Sequence, residues 1–173
     1  MKLPKDYIVL DTETTGLSYR KCKMIELSAI KVRNDEIVDT FSVLVNPHEK
    51  VHYFITQLTG ISNEMLENEK SIEDVLIPFI DFVEDDVIIG HNILFDIKFI
   101  NEATTKCLGM IFDNKYIDTM SLSKRLWPFE RHHRLEDLIE RCDLEGTQEH
   151  RGLSDCMYTY KAYLYMKNKL ERK

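Results

Sequence analysis

The sequence predicts an α/β layer fold, on three observations. A short apolar run, Tyr7 to Leu10, ends abruptly in acid, Thr and Gly, as a buried strand does where it opens into a loop. Two extended segments near 23–33 and 36–45 follow, turning at Asn34 and Asp35 and carrying the β-branched residues Ile37, Val43 and Val45, which reads as a long hairpin. Beyond the hairpin, helical periodicity alternates with short apolar strands, the pattern of layered α/β chains.

The elements are justified in chain order. The first strand spans about 6–11 and the hairpin comes next. Helices are predicted near 62–67 and 71–83, and Pro78 should kink the second or limit its regularity. Val87 to Ile89 is a short strand, and a Gly turn leads from it into a helix over 93–104 with Ile93, Ile97 and Ile100 on one stripe. A strand near 115–118 precedes helices near 119–126, 134–142 and 152–169, the last with Leu153, Met157, Tyr160 and Leu164 as its core stripe. There is no low-complexity linker or internal repeat, and the four prolines are scattered, so residues 1–173 read as a single domain. The absence of a signal peptide or membrane-length apolar run predicts a cytoplasmic protein with no membrane partner. Cys22, Cys107, Cys142 and Cys156 lack zinc-type spacing and read as reduced, mostly structural thiols.

Three segments carry chemistry. In "YIVLDTETTGLS", Asp11 and Glu13 lie two apart on a strand and project the same way, an unfavourable arrangement unless cations hold it. Hard divalent ions such as Mg²⁺ or Mn²⁺ prefer such oxygen sites. In "VIIGHNILFDIKFINEA", Asp96 falls between the Ile stripe and Phe99, so it is protonated, meets a cation, or belongs to a helix placed differently; the neighbouring acids favour the cation. In "HRGLSDCMYTYKAYLYM", Asp155 lies off the expected stripe and His150 just precedes the helix. Taken alone, an acid in a first helical turn beside a loop histidine is ordinary. A rival spacing, His132 and Asp137 in "HHRLED", has an equally ordinary explanation as the acidic start of an amphipathic helix.

In combination and in this order, "DTETTGL", "GHNILFD" and "HRGLSD" resemble the DnaQ-like exonucleases of the DEDDh type, within the ribonuclease H-like superfamily, over nearly the whole chain. The resemblance implies a ribonuclease H-like mixed five-stranded sheet with helices on both faces. It implies that Asp11, Glu13, Asp96 and Asp155 hold two ions, Mg²⁺ or Mn²⁺, and that His150 is the general base. The tyrosine variant would carry Tyr at position 151, where Arg stands. By the same resemblance Thr14, Thr15 and Leu17 line the terminal nucleotide's pocket, with Thr59 and Phe95 nearby; position 59 is Thr where some relatives carry His. His91 and Asn92 are expected to brace the turn.

The activity so implied is 3′–5′ hydrolysis of single-stranded ends, DNA favoured, to nucleoside 5′-monophosphates in proofreading or repair. RNA 3′ ends are the alternative substrate, and a DNA polymerase is a candidate partner. The chain stops just after the helix bearing Asp155, with no long extension of the kind that could tether a polymerase, so it is expected to be either free-standing or bound through its own surface. Two other classes are weighed. A haloacid dehalogenase-type phosphatase would need an Asp where Glu13 stands, and a silent binding module would not need all five site residues. The net charge of −7 excludes a long electrostatic grip on duplex. A few terminal nucleotides suffice for an exonuclease, whose two ions bring about four positive charges. Arg131, His132, His133 and Arg134 form a basic cluster that either contacts phosphate or is solvated loop, and the basic tail from Lys167 to Lys173 reads as a solvated helix end.

Overall fold

The computed structural model describes residues 3–172. Its sheet comprises β1 (Tyr7–Thr14), β2 (Met24–Arg33), β3 (Glu36–Leu44), β4 (Ile88–Gly90) and β5 (Tyr116–Asp118). They lie in the order β3-β2-β1-β4-β5. The β1–β2 and β2–β3 ladders are antiparallel, whereas β1–β4 and β4–β5 are parallel. The sheet is therefore mixed, and the C-terminal ends of β1, β4 and β5 meet along one edge. Asn34 and Asp35 have φ of 51° and 65° between the paired Arg33 and Glu36, a tight two-residue hairpin turn of the kind that matches strand twist.

Seven helices are described: α1 (Tyr53–Thr59), α2 (Asn63–Leu66), α3 (Ile72–Val83), α4 (Leu94–Leu108), α5 (Thr119–Leu126), α6 (Leu135–Arg141) and α7 (Gly152–Glu171). Alternation along β1 divides the core. Ile8 and Leu10 pack with Val75, Phe79 and Ile100 of α3 and α4. Tyr7 and Val9 face the other way, onto Leu122, Leu138, Ala162 and Tyr163 of α5, α6 and α7. Helices thus cover both faces, as expected.

Four expectations change. Helix α1 was not anticipated, because its apolar residues are largely exposed and its sequence carries no strong periodicity; His52 caps it, with Nδ1 accepting from Phe54 N at 3.2 Å. Pro78 does not break α3, which runs from Ile72 to Val83 with the proline on its exposed side. The buried face of α7 is Gly152, Asp155, Cys156, Thr159, Ala162, Tyr163 and Met166, whereas Leu153, Met157, Tyr160 and Leu164 only flank it. Small residues let the helix approach the sheet closely, so apolarity alone misplaced the stripe, and Asp155 lies on it. Lys167 is not a solvated tail residue: it is 3% exposed, with Nζ 2.7 Å from Asp35 Oδ1 and 2.9 Å from the Pro4 carbonyl. Lys173, which ends that tail, lies outside the described residues.

Candidate active site

Beyond Leu10 the alternation of β1 continues in polar residues. Asp11 and Glu13 face α7, while Thr12 between them faces α4 and meets Asp96 in that helix's first turn. The Thr12 N–H and Oγ1 both donate to Asp96 Oδ1, at 2.9 and 2.7 Å. Carboxylate oxygens of Asp11, Glu13 and Asp155 all lie within 4.8 Å of one another.

Few cations answer these acids. Burial pushes the Asp11 carboxyl well above the ordinary range, and the neighbouring Asp96, Glu13 and Asp155 add to the effect. Burial, then Asp155 and Glu26, push Glu13 up to about 8, against the opposing charge of Arg151. Asp96 is pushed up to about 7 by burial, despite the two Thr12 hydrogen bonds. Burial also raises Asp155, whose Oδ2 accepts from Gln148 Nε2 at 2.7 Å while its buried Oδ1 has no hydrogen-bond partner among the described residues. Desolvated carboxylates converging on one point, with an orphaned oxygen among them, are the donor set that hard divalent cations take. The residues present therefore fit the group that the sequence implied.

His150 is the last residue but one before α7, has φ of 51°, and lies close enough to Asp155 for its charge to stabilise that carboxylate. The entry to α7 is anchored on β2. Glu26, 3% exposed, accepts from the Gly152 N–H at 2.9 Å and from Arg151 Nε and Nη2 at 3.3 and 3.0 Å. A Cβ at position 152 would stand 2.8 Å from Ser28 Cβ, so glycine is what lets the helix touch the strand here.

The exonuclease family typified by RNase T matches residues 8–163. The chain belongs to this DnaQ-like exonuclease family. It is 41% identical over 162 residues to the "DNA polymerase III PolC-type" of Bacillus subtilis (strain 168), covering 93% of this chain and 11% of that protein. The chain thus spans about a ninth of the length of that relative. Exonuclease X, solved in complex with 5′ overhanging duplex DNA, is 26% identical with a TM-score of 0.76, covering 94% of this chain and 92% of that one. The nuclease domain of 3′hExo, a DEDDh family member bound to rAMP, shares the fold at 18% identity and a TM-score of 0.81, covering 95% and 92%. The exonuclease family is divalent-metal dependent, consistent with the carboxylate cluster.

Within this exonuclease domain the other predicted residues are distributed unevenly. Thr14 Oγ1 donates to the Gly16 carbonyl at 2.8 Å, and Thr15 Oγ1 donates to Glu49 and accepts from the Lys23 N–H, so both shape the turn after β1. Leu17 on that turn is 88% exposed, an apolar side chain offered to solvent. Phe95 neighbours Asp96 and tilts against Phe99 at 5.0 Å between ring centres. Thr59 is 2% exposed, and its hydroxyl donates to the Ile55 carbonyl and accepts from the Ile61 N–H at the end of α1, so its side chain helps to close that helix. His91 and Asn92 do brace the turn, through His91 Nδ1 with Thr119 Oγ1 at 3.0 Å and the Asn92 N–H donating to Asp118 at 2.8 Å.

The rival pair is accounted for structurally. Asp137 accepts from the Arg134 N–H at 2.7 Å and caps α6, while the His132 carbonyl accepts from Arg141. Four residues were missed by sequence reasoning: Thr12, Glu26, Gln148 and Arg151. Glu26 left one usable signal, an acid near the start of a largely apolar strand, "MIELSAIKV".

Proposed function

We propose that this domain is a metal-dependent 3′–5′ exonuclease acting on single-stranded DNA ends in the cytoplasm, in proofreading or repair, with residues 1–173 forming one exonuclease domain. The observation that carries this reading is the 4.8 Å convergence of Asp11, Glu13 and Asp155, with an unpartnered Asp155 oxygen, at one end of the sheet. Asp11, Glu13, Asp96 and Asp155 would hold two ions, Mg²⁺ or Mn²⁺, which supply an activated water and charge stabilisation at the leaving 3′ oxygen. His150 takes the proton of the attacking water as the new P–O bond forms. The P–O3′ bond breaks, the shortened strand recovers a 3′ hydroxyl with a proton from solvent, and a nucleoside 5′-monophosphate leaves. Thr12 holds Asp96 in place for this work, and Gln148 orients Asp155. Thr14, Thr15, Leu17 and Phe95 surround the terminal nucleotide.

DNA is favoured over RNA by the polymerase relative, with which this chain shares 41% identity. The same relation supports a DNA polymerase as the partner. Parallel degradation of 5′-labelled single-stranded DNA and RNA of one sequence tests the reading, with mononucleotide products identified by chromatography. Chelator-sensitive release of 5′-mononucleotides from DNA is expected. Faster digestion of the RNA would make this an RNA-trimming enzyme, and no release from either would remove the nuclease reading.

A further inference from the structure

We propose that Glu26, acting through Arg151 and the Gly152 N–H, is a positioning residue that sets the orientation of His150 relative to the carboxylates. The inference rests on the site reading above.

Glu26 comes from an inner strand, 125 residues away in sequence from the arginine it binds. The Glu26 side chain is 4% exposed and that of Arg151 is 40% exposed, and a carboxylate taken out of water to meet a half-exposed partner gains little net stability over apolar packing, so its presence in a strand core points to a geometric task. What it fixes is local. Both Glu26 oxygens are committed, Oε2 to the Gly152 N–H and Arg151 Nε, Oε1 to Arg151 Nη2. Arg151 and Gly152 are the two residues that follow His150, and Gly152 is seated against Ser28. The backbone is therefore pinned immediately after the histidine.

His150 needs that restraint. Its φ of 51° is in the left-handed region, which a residue carrying a Cβ seldom adopts. Among the described residues no hydrogen bond reaches its ring, so the imidazole is aimed by its backbone rather than by a side-chain partner. Removing Glu26 frees Arg151 and the first N–H of α7 together, and His150 can then relax towards commoner backbone angles.

The test uses the full chain with Glu26→Ala, Glu26→Gln and Arg151→Lys. The imidazole resonances of ¹³C-labelled histidine are recorded without metal or substrate, with His150→Asn identifying the His150 signal. Single-turnover cleavage of a single-stranded oligonucleotide is then measured with Mn²⁺. In Glu26→Ala the His150 resonance should shift or broaden, and the rate should fall ~10- to 100-fold with KM changed less than ~3-fold. Glu26→Gln keeps an acceptor for the Gly152 N–H and should recover part of the rate. A folded Glu26→Ala protein with the wild-type His150 resonance and rate overturns the proposal. Should that variant not fold, wild-type resonance and rate in both Glu26→Gln and Arg151→Lys overturn it equally. A displaced resonance in variants of a wild type that cleaves nothing would uphold the positioning role and reject the nuclease reading.

Discussion

Glu13 and Glu26 stand directly opposite one another in the β1–β2 ladder. Two like charges so placed repel, and the protein treats them differently. Glu26 is matched by Arg151 and the Gly152 N–H. Glu13 receives no hydrogen bond or ion pair among the described residues and is pushed up to about 8. Protein charge is thus balanced on the β2 side, and on the β1 side the balance is left to protons or to cations.

That asymmetry predicts the stability of the metal-free protein. Glu13 at about 8 and Asp96 at about 7 lie above their ordinary values of 4.5 and 3.8, and Asp11 and Asp155 are raised too. The native state therefore holds more protons than the unfolded chain, and the stability this confers is lost as pH rises through the folded values. His91, depressed to about 4 from 6.5, works in the opposite sense, but only below about 6.5. In chelator the melting temperature should fall between about pH 6.5 and 8.5, and Mn²⁺ should reverse the fall by binding the deprotonated carboxylates. A flat profile in scanning calorimetry with chelator, or no effect of Mn²⁺, would contradict this account of the site.

The same electrostatics separate activity from stability at the acids. Asp11→Asn removes one charge from a buried cluster of like charges, so in chelator its melting temperature should equal or exceed that of the wild type. Its nuclease rate, and that of Asp155→Ala, should drop by several orders of magnitude with either Mg²⁺ or Mn²⁺. Near-normal rates in either variant would dismantle the metal-site reading.

His150 and His132 are distinguished by kinetics. His150→Ala should slow the chemical step and leave Mn²⁺ affinity nearly intact. His132→Ala should do little, or weaken substrate binding alone. Asp137→Ala should cost about 1 kcal/mol of stability, the usual loss for an α-helix cap, and leave the rate alone. The reverse pattern, with His132→Ala and Asp137→Ala inactive, would move the third motif to α6.

Much of this was legible in the sequence because the site lies at element ends. Tyr7 to Leu10 had to be a strand, and a strand period of two then put Asp11 and Glu13 on one side. Asn34 and Asp35 announced the hairpin because both tolerate positive φ, which the turn requires at each position. What stayed hidden depends on approach between distant segments. Thr12 has no local mark that it will hold Asp96, 84 residues on. The inner face of α7 mixes small residues, Gly152, Cys156, Thr159 and Ala162, with Asp155, Tyr163 and Met166, so a hydrophobic pattern pointed to the flanking residues instead. Helix α1 stayed hidden too, and with it the bond from the Thr59 hydroxyl to the Ile55 carbonyl, a backbone contact that a helix-terminal Thr makes readily.

Substrate form follows from the pocket proposed for the terminal nucleotide. Its apolar residues are Leu17, almost fully exposed on the turn that Thr14 and Thr15 shape, and Phe95, half-buried against Phe99. Such a surface suits one or two splayed bases, because stacking on apolar and aromatic side chains is indifferent to sequence. A duplex end must first unstack and unpair, at a cost of a few kcal/mol that is least for a mismatched base. Digestion should therefore run from 3′ ends, fastest on single strands, slower on mismatched ends and slowest on matched ones, a ranking that would suit proofreading without any side chain reading the base. Leu17→Ala should raise KM on single strands more than it lowers kcat. The measurement is a time course on 5′-labelled strands alone, annealed to a matched complement, and annealed with one terminal mismatch. Equal rates on matched and single-stranded ends, or products released from the 5′ end or from circular DNA, would reject this model of the pocket.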